Sequence, residues 1–353
     1  MKLKISTMNS VFKSLLSIML FAAISNALYS QQNVTATIST SAKTASLDNG
    51  IVSISISSAG QVSSLIYNSK DLVNASQNGK FYFSYNDQNG FHVLSPDAVR
   101  IEKQTDDYAE VVYSNTTGDL HVEQAFILLK GVSGIYSYIT IKGTPSTVSL
   151  GEMRVVYRVS PTLFDYGYVT DKMQGALPSI EDMITASANS IQDATYLMPD
   201  GSIYTKYDWA NYIEEDSVHG VLSDSEGLWA IAPSNEFMNG GPMKQELTVH
   251  TSTTTPLAIQ MLQGSHFGAG APDYSTGDEK IYGPFFIYVN SGGTHEEMIE
   301  DAKAQASLQK SLWPYPWLSN SLYPNERTEV RGRINVPFGL SRKNIQVVLA
   351  NLA

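Results

Sequence analysis

Three side chains of this 353-residue sequence combine a reactive type with a distinctive setting. Lys206 lies in DGSIYTKYDWANY, among Tyr204, Tyr207, Trp209 and Tyr212. Aromatic walls desolvate an ammonium group and favour its neutral form, as a general base requires. Aromatics beside an irregular segment also suit a sugar, whose ring faces are apolar, and Tyr207 is a candidate for that contact. The ordinary alternative is a solvated loop lysine. His266 lies in GSHFGAG, where Gly264, Gly268 and Gly270 permit unusual backbone angles and close approach of a ligand. An imidazole there is placed to donate a proton, unless it is a turn histidine satisfied by backbone. Arg154, in GEMRVVYR, can hold a carboxylate through two parallel hydrogen bonds if it points outward from a strand. Otherwise it is one half of a surface ion pair.

Other chemistries find less support. His219, His250 and His295 show no metal-ligand spacing, and no D-x-D-x-D-G loop is present. No G-x-S-x-G elbow accompanies the serines. Acidic residues are plentiful, but no motif singles out a pair for glycoside hydrolysis. Neither a cofactor nor a metal is expected.

The elements that must position these residues are strands. In TASLDNGIVSISIS, Asn49-Gly50 precedes Val52, Ile54 and Ile56 alternating with serines, a hairpin with one buried and one wet face. In SGIYSYITIKG, Ile135, Ser137, Ile139 and Ile141 face one way and Tyr136, Tyr138, Thr140 and Lys142 the other. In PLAIQML, Leu257, Ile259 and Met261 share one face and Gln260 and Leu262 the other, before the chain breaks at Gly264. Short strands with turns between them predict an all-β sandwich. The alternation fails between Pro161 and Tyr212, and long loops inside a sandwich are often functional. One helix is predicted, HEEMIEDAKAQASLQKSL, opened by a capping box at Thr294–Glu297 and ended by Pro314 and Pro316. After SNSLYPNE, a second β domain is expected to begin at about residue 324 and to stop after roughly two strands.

Composition sets the compartment. Lys2, Lys4 and Lys13, an apolar run from Leu15 to about Ile24 and small residues after it predict a secretory signal peptide over residues 1–30. That run is too short for a membrane span. Cysteine is absent, so no disulfide framework and no thiolate chemistry is available. The sequons at Asn33, Asn74 and Asn115 matter only in a glycosylating host. The formal charge of −11 argues against a nucleic-acid partner. A soluble, extracellular monomer is expected.

Several stretches together resemble polysaccharide lyase family four, the rhamnogalacturonan lyases: LDNGIVSISISSAGQVSSLIYNSKDLV, GEMRVVYR, SIYTKYDW, NEFMNGGPMKQELTVH, GSHFGAG, YGPFFIYVN, DAKAQASLQKSLWPYPWL and RTEVRGRI. The resemblance runs from about residue 40 to the end. It implies a catalytic, galactose-mutarotase-like super-sandwich over residues 40–318. The fibronectin-III-like domain that follows is only begun over residues 324–353, and the family's jelly roll is missing. It also implies roles: Lys206 as base, His266 as proton donor and Arg154 in contact with substrate. Met261 stands where some members carry a tyrosine. The implied reaction is β-elimination in rhamnogalacturonan, a pectic polymer that alternates rhamnose and galacturonate. A few local cations would hold that acidic chain on an acidic protein. A non-catalytic carbohydrate-binding sandwich, or a glycoside hydrolase on a similar fold, is the alternative.

Overall fold

The computed structural model describes residues 32–170, 172–212, 218–234, 236, 245–264, 271–341 and 345. Two large antiparallel sheets dominate them. One has ten strands, and its main path runs Thr35–Ser39, Thr44–Asp48, Val52–Ile56, Val62–Tyr67, Lys80–Asp87, Glu152–Arg158, Pro256–Gly264 and Val249–Thr251. The other has nine, with Glu226–Ile231, Glu279–Ser291, Gly134–Gly143 and Leu120–Leu129 at its centre. The expected all-β super-sandwich is therefore the architecture found.

Alternation along each strand builds the interface between the sheets. Val52, Ile54 and Ile56 are buried while Ser53 and Ser55 face outward, as the hairpin pattern requires. From the ten-stranded sheet Phe81, Phe83, Met153, Val155 and Tyr157 enter the same core as Ile135, Ile139, Phe285 and Val289 from the other. Each such side chain contributes about 1.5–3 kcal/mol on burial. Asn49 ties the hairpin to the opposite sheet. Its amide donates to the carbonyls of Leu129 and Val132, both at 2.8 Å, and its oxygen accepts from the amides of Ile51 and Val52.

The nine-stranded sheet is covered on both faces. Tyr136, Tyr138, Trp229 and Phe286 point away from the inter-sheet core. They pack under the helix His295–Leu312 and the aromatic segment that follows it, including Tyr315 and Leu318. Thr294 caps that helix by accepting from the amide of Glu297, whose carboxylate accepts from the amide of Gly293. The predicted capping box thus forms, with its return bond one residue earlier.

The segment between Pro161 and Tyr212, expected to be irregular, contains regular pieces. A helix, Ile180–Ser187, is capped by Ser179 and buries Met183 and Ala186. A three-stranded sheet is formed by Ser190–Gln192, Thr195–Leu197 and Ile203–Thr205. These elements are too short for a periodic signal to rise above the turns between them. Residues 319–341 follow the aromatic segment with no strand among the described residues. No helix of the described residues is long and apolar enough to cross a membrane.

Candidate active site

The candidate residues gather on the outer face of the ten-stranded sheet, the face turned away from the inter-sheet core. On Glu152–Arg158, Met153, Val155 and Tyr157 point into the core, so Glu152, Arg154, Val156 and Arg158 point outward. Cross-strand pairing extends each outward position into a row. Arg154 lies between Ser84 and Met261, Val156 between Tyr82 and Ile259, and Arg158 between Lys80 and Leu257. Val156, Leu257, Ile259 and Met261 form an apolar floor, with Tyr82 packed against it. The outward set on Pro256–Gly264 is the one that alternation predicts.

Arg154 points outward, as a substrate contact requires. Its Nη1 donates to the Asn86 side-chain oxygen at 3.0 Å and lies 2.9 Å from the Glu152 carboxylate. Its guanidinium stands 5.4 Å from the centre of the Phe91 ring. The arginine is thus both outward-facing and ion-paired.

Lys206 opens a short 3₁₀ turn, Lys206–Trp209, at the sandwich edge. The turn is fixed from both ends. Upstream, Thr195 and Thr205 pair across the small sheet, the Lys206 amide donates to the Ala194 carbonyl at 2.9 Å, and the Thr205 hydroxyl accepts from the Tyr207 amide. Downstream, Trp209 is 2% exposed and belongs to the main core, and its carbonyl accepts a hydrogen bond from the Thr248 hydroxyl. Its indole lies where a Cβ on Gly167 would fall, 2.7 Å away, so only glycine at 167 admits the ring. The tryptophan pins the turn beside the edge strand Val249–Thr251 and leaves Lys206 half-buried.

The Lys206 ammonium makes no hydrogen bond or ion pair among the described residues. Its ring neighbour is Tyr196, 5.9 Å from the ring centre, rather than the tyrosines adjacent in sequence. Burial lowers its pKa, the Arg158 guanidinium lowers it further, and the Asp193 carboxylate opposes both. Tyr207 donates to Asp193 at 2.8 Å. Burial, that bond and the charges of Asp193 and Glu152 push the phenol up to about 12. Lys206 thus lies close enough to Arg158, and Tyr207 to Glu152, for each pair to interact.

Two residues of this constellation escaped the sequence reading. Arg158 stands four positions beyond Arg154 on the same outward face. Its Nη1 donates to the hydroxyls of Ser252 at 2.8 Å and Thr255 at 3.3 Å. The i, i+4 spacing in a strand was the available signal, because an even offset keeps both arginines on one side. His250 pairs with Leu257, which places it in the Arg158 row. It is 6% exposed, and its Nδ1 is buried with no hydrogen-bond partner. Burial, Lys206 and Arg158 together hold it well below the usual histidine range, so the ring is neutral. Nothing in the sequence around it distinguishes it from a core histidine. His266 lies outside the described residues. The strand that leads to it ends at Gly264, opposite Glu152. No group of three or more metal-ligating side chains occurs among the described residues.

Residues 21–200 match the family described as the rhamnogalacturonate lyase family. The chain belongs to that family. A rhamnogalacturonate lyase from Dickeya dadantii is 32% identical over 298 residues, covering 82% of this chain and 50% of the relative. Rhamnogalacturonate lyase B from Emericella nidulans is 26% identical over 260 residues, covering 65% of this chain and 38% of the relative. This rhamnogalacturonate lyase family member thus spans about half the length, or less, of the curated relatives it matches. Among solved structures, an alpha-mannosidase from Enterococcus faecalis V583 is similar with a TM-score of 0.43 and 9% identity, over 78% of this chain and 32% of the other.

Proposed function

We propose that this chain is an exported rhamnogalacturonan endolyase that cleaves the rhamnose–galacturonate bond by β-elimination. The observation that carries the reading is Lys206: a half-buried lysine on a turn beside the edge strand Val249–Thr251, its pKa lowered by burial and by the charge of Arg158, at the edge of a sheet face that also bears Arg154. The signal peptide expected over residues 1–30 supports export.

The chemistry follows from charge. The C5 hydrogen of galacturonate is weakly acidic, because loss of the proton builds charge beside a carboxylate. A guanidinium on that carboxylate stabilises the enolate-like state as it forms. Arg154 was the cation expected on sequence, and Arg158, the closer to Lys206 in its electrostatic effect, shares the task. Neutral Lys206 takes the C5 proton, the freed electron pair forms the C4–C5 double bond, and the C4–O bond breaks. His266 is the expected donor to the departing rhamnose oxygen. Tyr207 is the expected aromatic contact for a sugar ring. The products are a saturated chain end and an unsaturated galacturonate.

The test is incubation with rhamnogalacturonan while following the ultraviolet absorbance of the conjugated alkene. A rise supports the reading. Chain cleavage without a rise identifies a hydrolase, and binding without cleavage identifies a carbohydrate-binding module; either overturns it.

A further inference from the structure

Beyond Arg158, on the side away from His250, the open face dips into a cavity of about 320 Å³. Lys80, Tyr82, Phe91, Arg158 and Thr254 contribute to its wall, and no carboxylate does. The Lys80 ammonium stands 5.6 Å and the Arg158 guanidinium 6.0 Å from the centre of the Tyr82 ring, so two cations lie near one phenol. Phe91 is 54% exposed beside them.

Two features of this cavity point to a ligand. The first is uncompensated charge. The chain has 34 acidic residues against 23 basic ones, yet neither Lys80 nor Arg158 forms an ion pair among the described residues. Arg154, on the same face, has Glu152 for a partner. Among the described residues the hydrogen bonds of Arg158 all use Nη1, and Nη2 and Nε make none. The second is the pairing of cations with aromatic surface. An inorganic anion needs the cations alone and a neutral sugar needs the rings alone. A sugar that bears a carboxylate uses both, with its apolar face on an aromatic ring and its charge at the lysine.

We propose that the side of the cavity formed by Lys80, Tyr82 and Phe91 binds a second uronate residue of the polymer, one rhamnose removed from the one that reacts at Lys206, with Arg158 between the two. Lys80 is the specificity-determining cation. This rests on the lyase reading. The strand bearing Lys80 and the strand bearing His250 are three strand spacings apart, about 14 Å, which leaves room for more than one pyranose ring between the cavity and the reacting centre. A substrate that fills both places presents carboxylates to both cation groups, and a neutral polymer gains nothing at the second.

The experiment is a kinetic series on the full chain with rhamnogalacturonan oligosaccharides of increasing length, comparing wild type, Lys80→Gln and Lys80→Arg. The expected result is a KM raised about tenfold in Lys80→Gln on long oligosaccharides, with kcat within about twofold, as for loss of one charge-assisted hydrogen bond. The defect shrinks on the shortest oligosaccharide that is still cut, and Lys80→Arg restores KM. A KM unchanged at every length, or raised equally at every length, overturns the proposal. Calorimetric titration of wild type and Lys80→Gln with an uncut oligosaccharide separates the two readings. If wild type produces no alkene, the lyase reading fails, and the titration still decides the cavity: a tenfold weaker Kd in the variant supports a uronate site there, and an equal Kd overturns it.

Discussion

Arg158 and His250 flank the same residue, each pairing in register with Leu257, one through its central strand and the other through the edge strand. A permanently charged guanidinium and a neutral imidazole therefore share one row of the open face, and Lys206 acts electrostatically on both positions. Burial and the Arg158 charge both lower the lysine pKa, and that makes its removal informative.

Lys206→Ala should lower kcat by about a hundredfold or more, the usual size of a general-base contribution, while leaving the thermal midpoint unchanged. The ammonium makes no hydrogen bond among the described residues, so its loss leaves no partner orphaned there. Initial rates on rhamnogalacturonan and a melting curve check both halves. Near-normal turnover removes Lys206 from the base role.

The pH profile should move in opposite directions for two neighbours of Lys206. A base acts when deprotonated, so kcat/KM rises as pH rises through the lysine pKa, which lies below its ordinary 10.5. Arg158 disfavours the ammonium, and Arg158→Gln should shift the rising limb to higher pH. Asp193 favours the ammonium, and Asp193→Asn should shift it to lower pH. Shifts of the same sign in both variants contradict the electrostatics described.

Stability should fall as pH drops from about 6.5 toward 4. His219 is held down to about 4 by burial, with its Nε2 2.6 Å from the Ile259 carbonyl, and His250 is lowered as well. Both are neutral in the fold but take up a proton below about 6.5 once unfolded. The unfolded state then binds more protons, and each histidine costs up to about 1.4 kcal/mol of stability per pH unit in that window. Urea unfolding at pH 7.5 and pH 5 measures the slope. His250→Asn, which does not titrate, should reduce it by about half.

Trp209→Ala should lose about 3–5 kcal/mol of stability, the usual cost of emptying a large aromatic site. Activity should fall with it, because the turn that carries Lys206 loses its downstream attachment. Trp209→Phe, which keeps a ring over Gly167, should retain most of both. Chemical denaturation and the alkene assay report the two effects separately.

Much of this arrangement is legible in the sequence because a strand writes its two faces in alternation. Val52, Ile54 and Ile56, or Leu257, Ile259 and Met261, announce a shared face without any partner strand, and the Thr294 capping box announces the helix. Lys206 stood out by its aromatic company, although the ring that meets its ammonium, Tyr196, comes from the neighbouring small strand. What stayed hidden depends on pairing. His250 looks like any buried histidine until Val249–Thr251 is laid beside Pro256–Gly264. Lys80 enters the Arg158 row only through a cross-strand partnership between distant segments. The helix Ile180–Ser187 was missed because two turns are too few for a period to show, although Ser179 three residues before Asp182 was a usable start signal.

The strand Pro256–Gly264 is buried along all nine residues, with Leu257, Ile259 and Met261 under the cleft and Ala258 and Leu262 in the core. A slip of one residue in its pairing would exchange these two sets and scramble interior and binding surface together. Groove and interior are therefore written into the same ladder. An engineer who wants a different sugar preference cannot obtain it by shifting the backbone. The change must come through outward side chains one at a time, each exchanged between neighbours that are not free to vary.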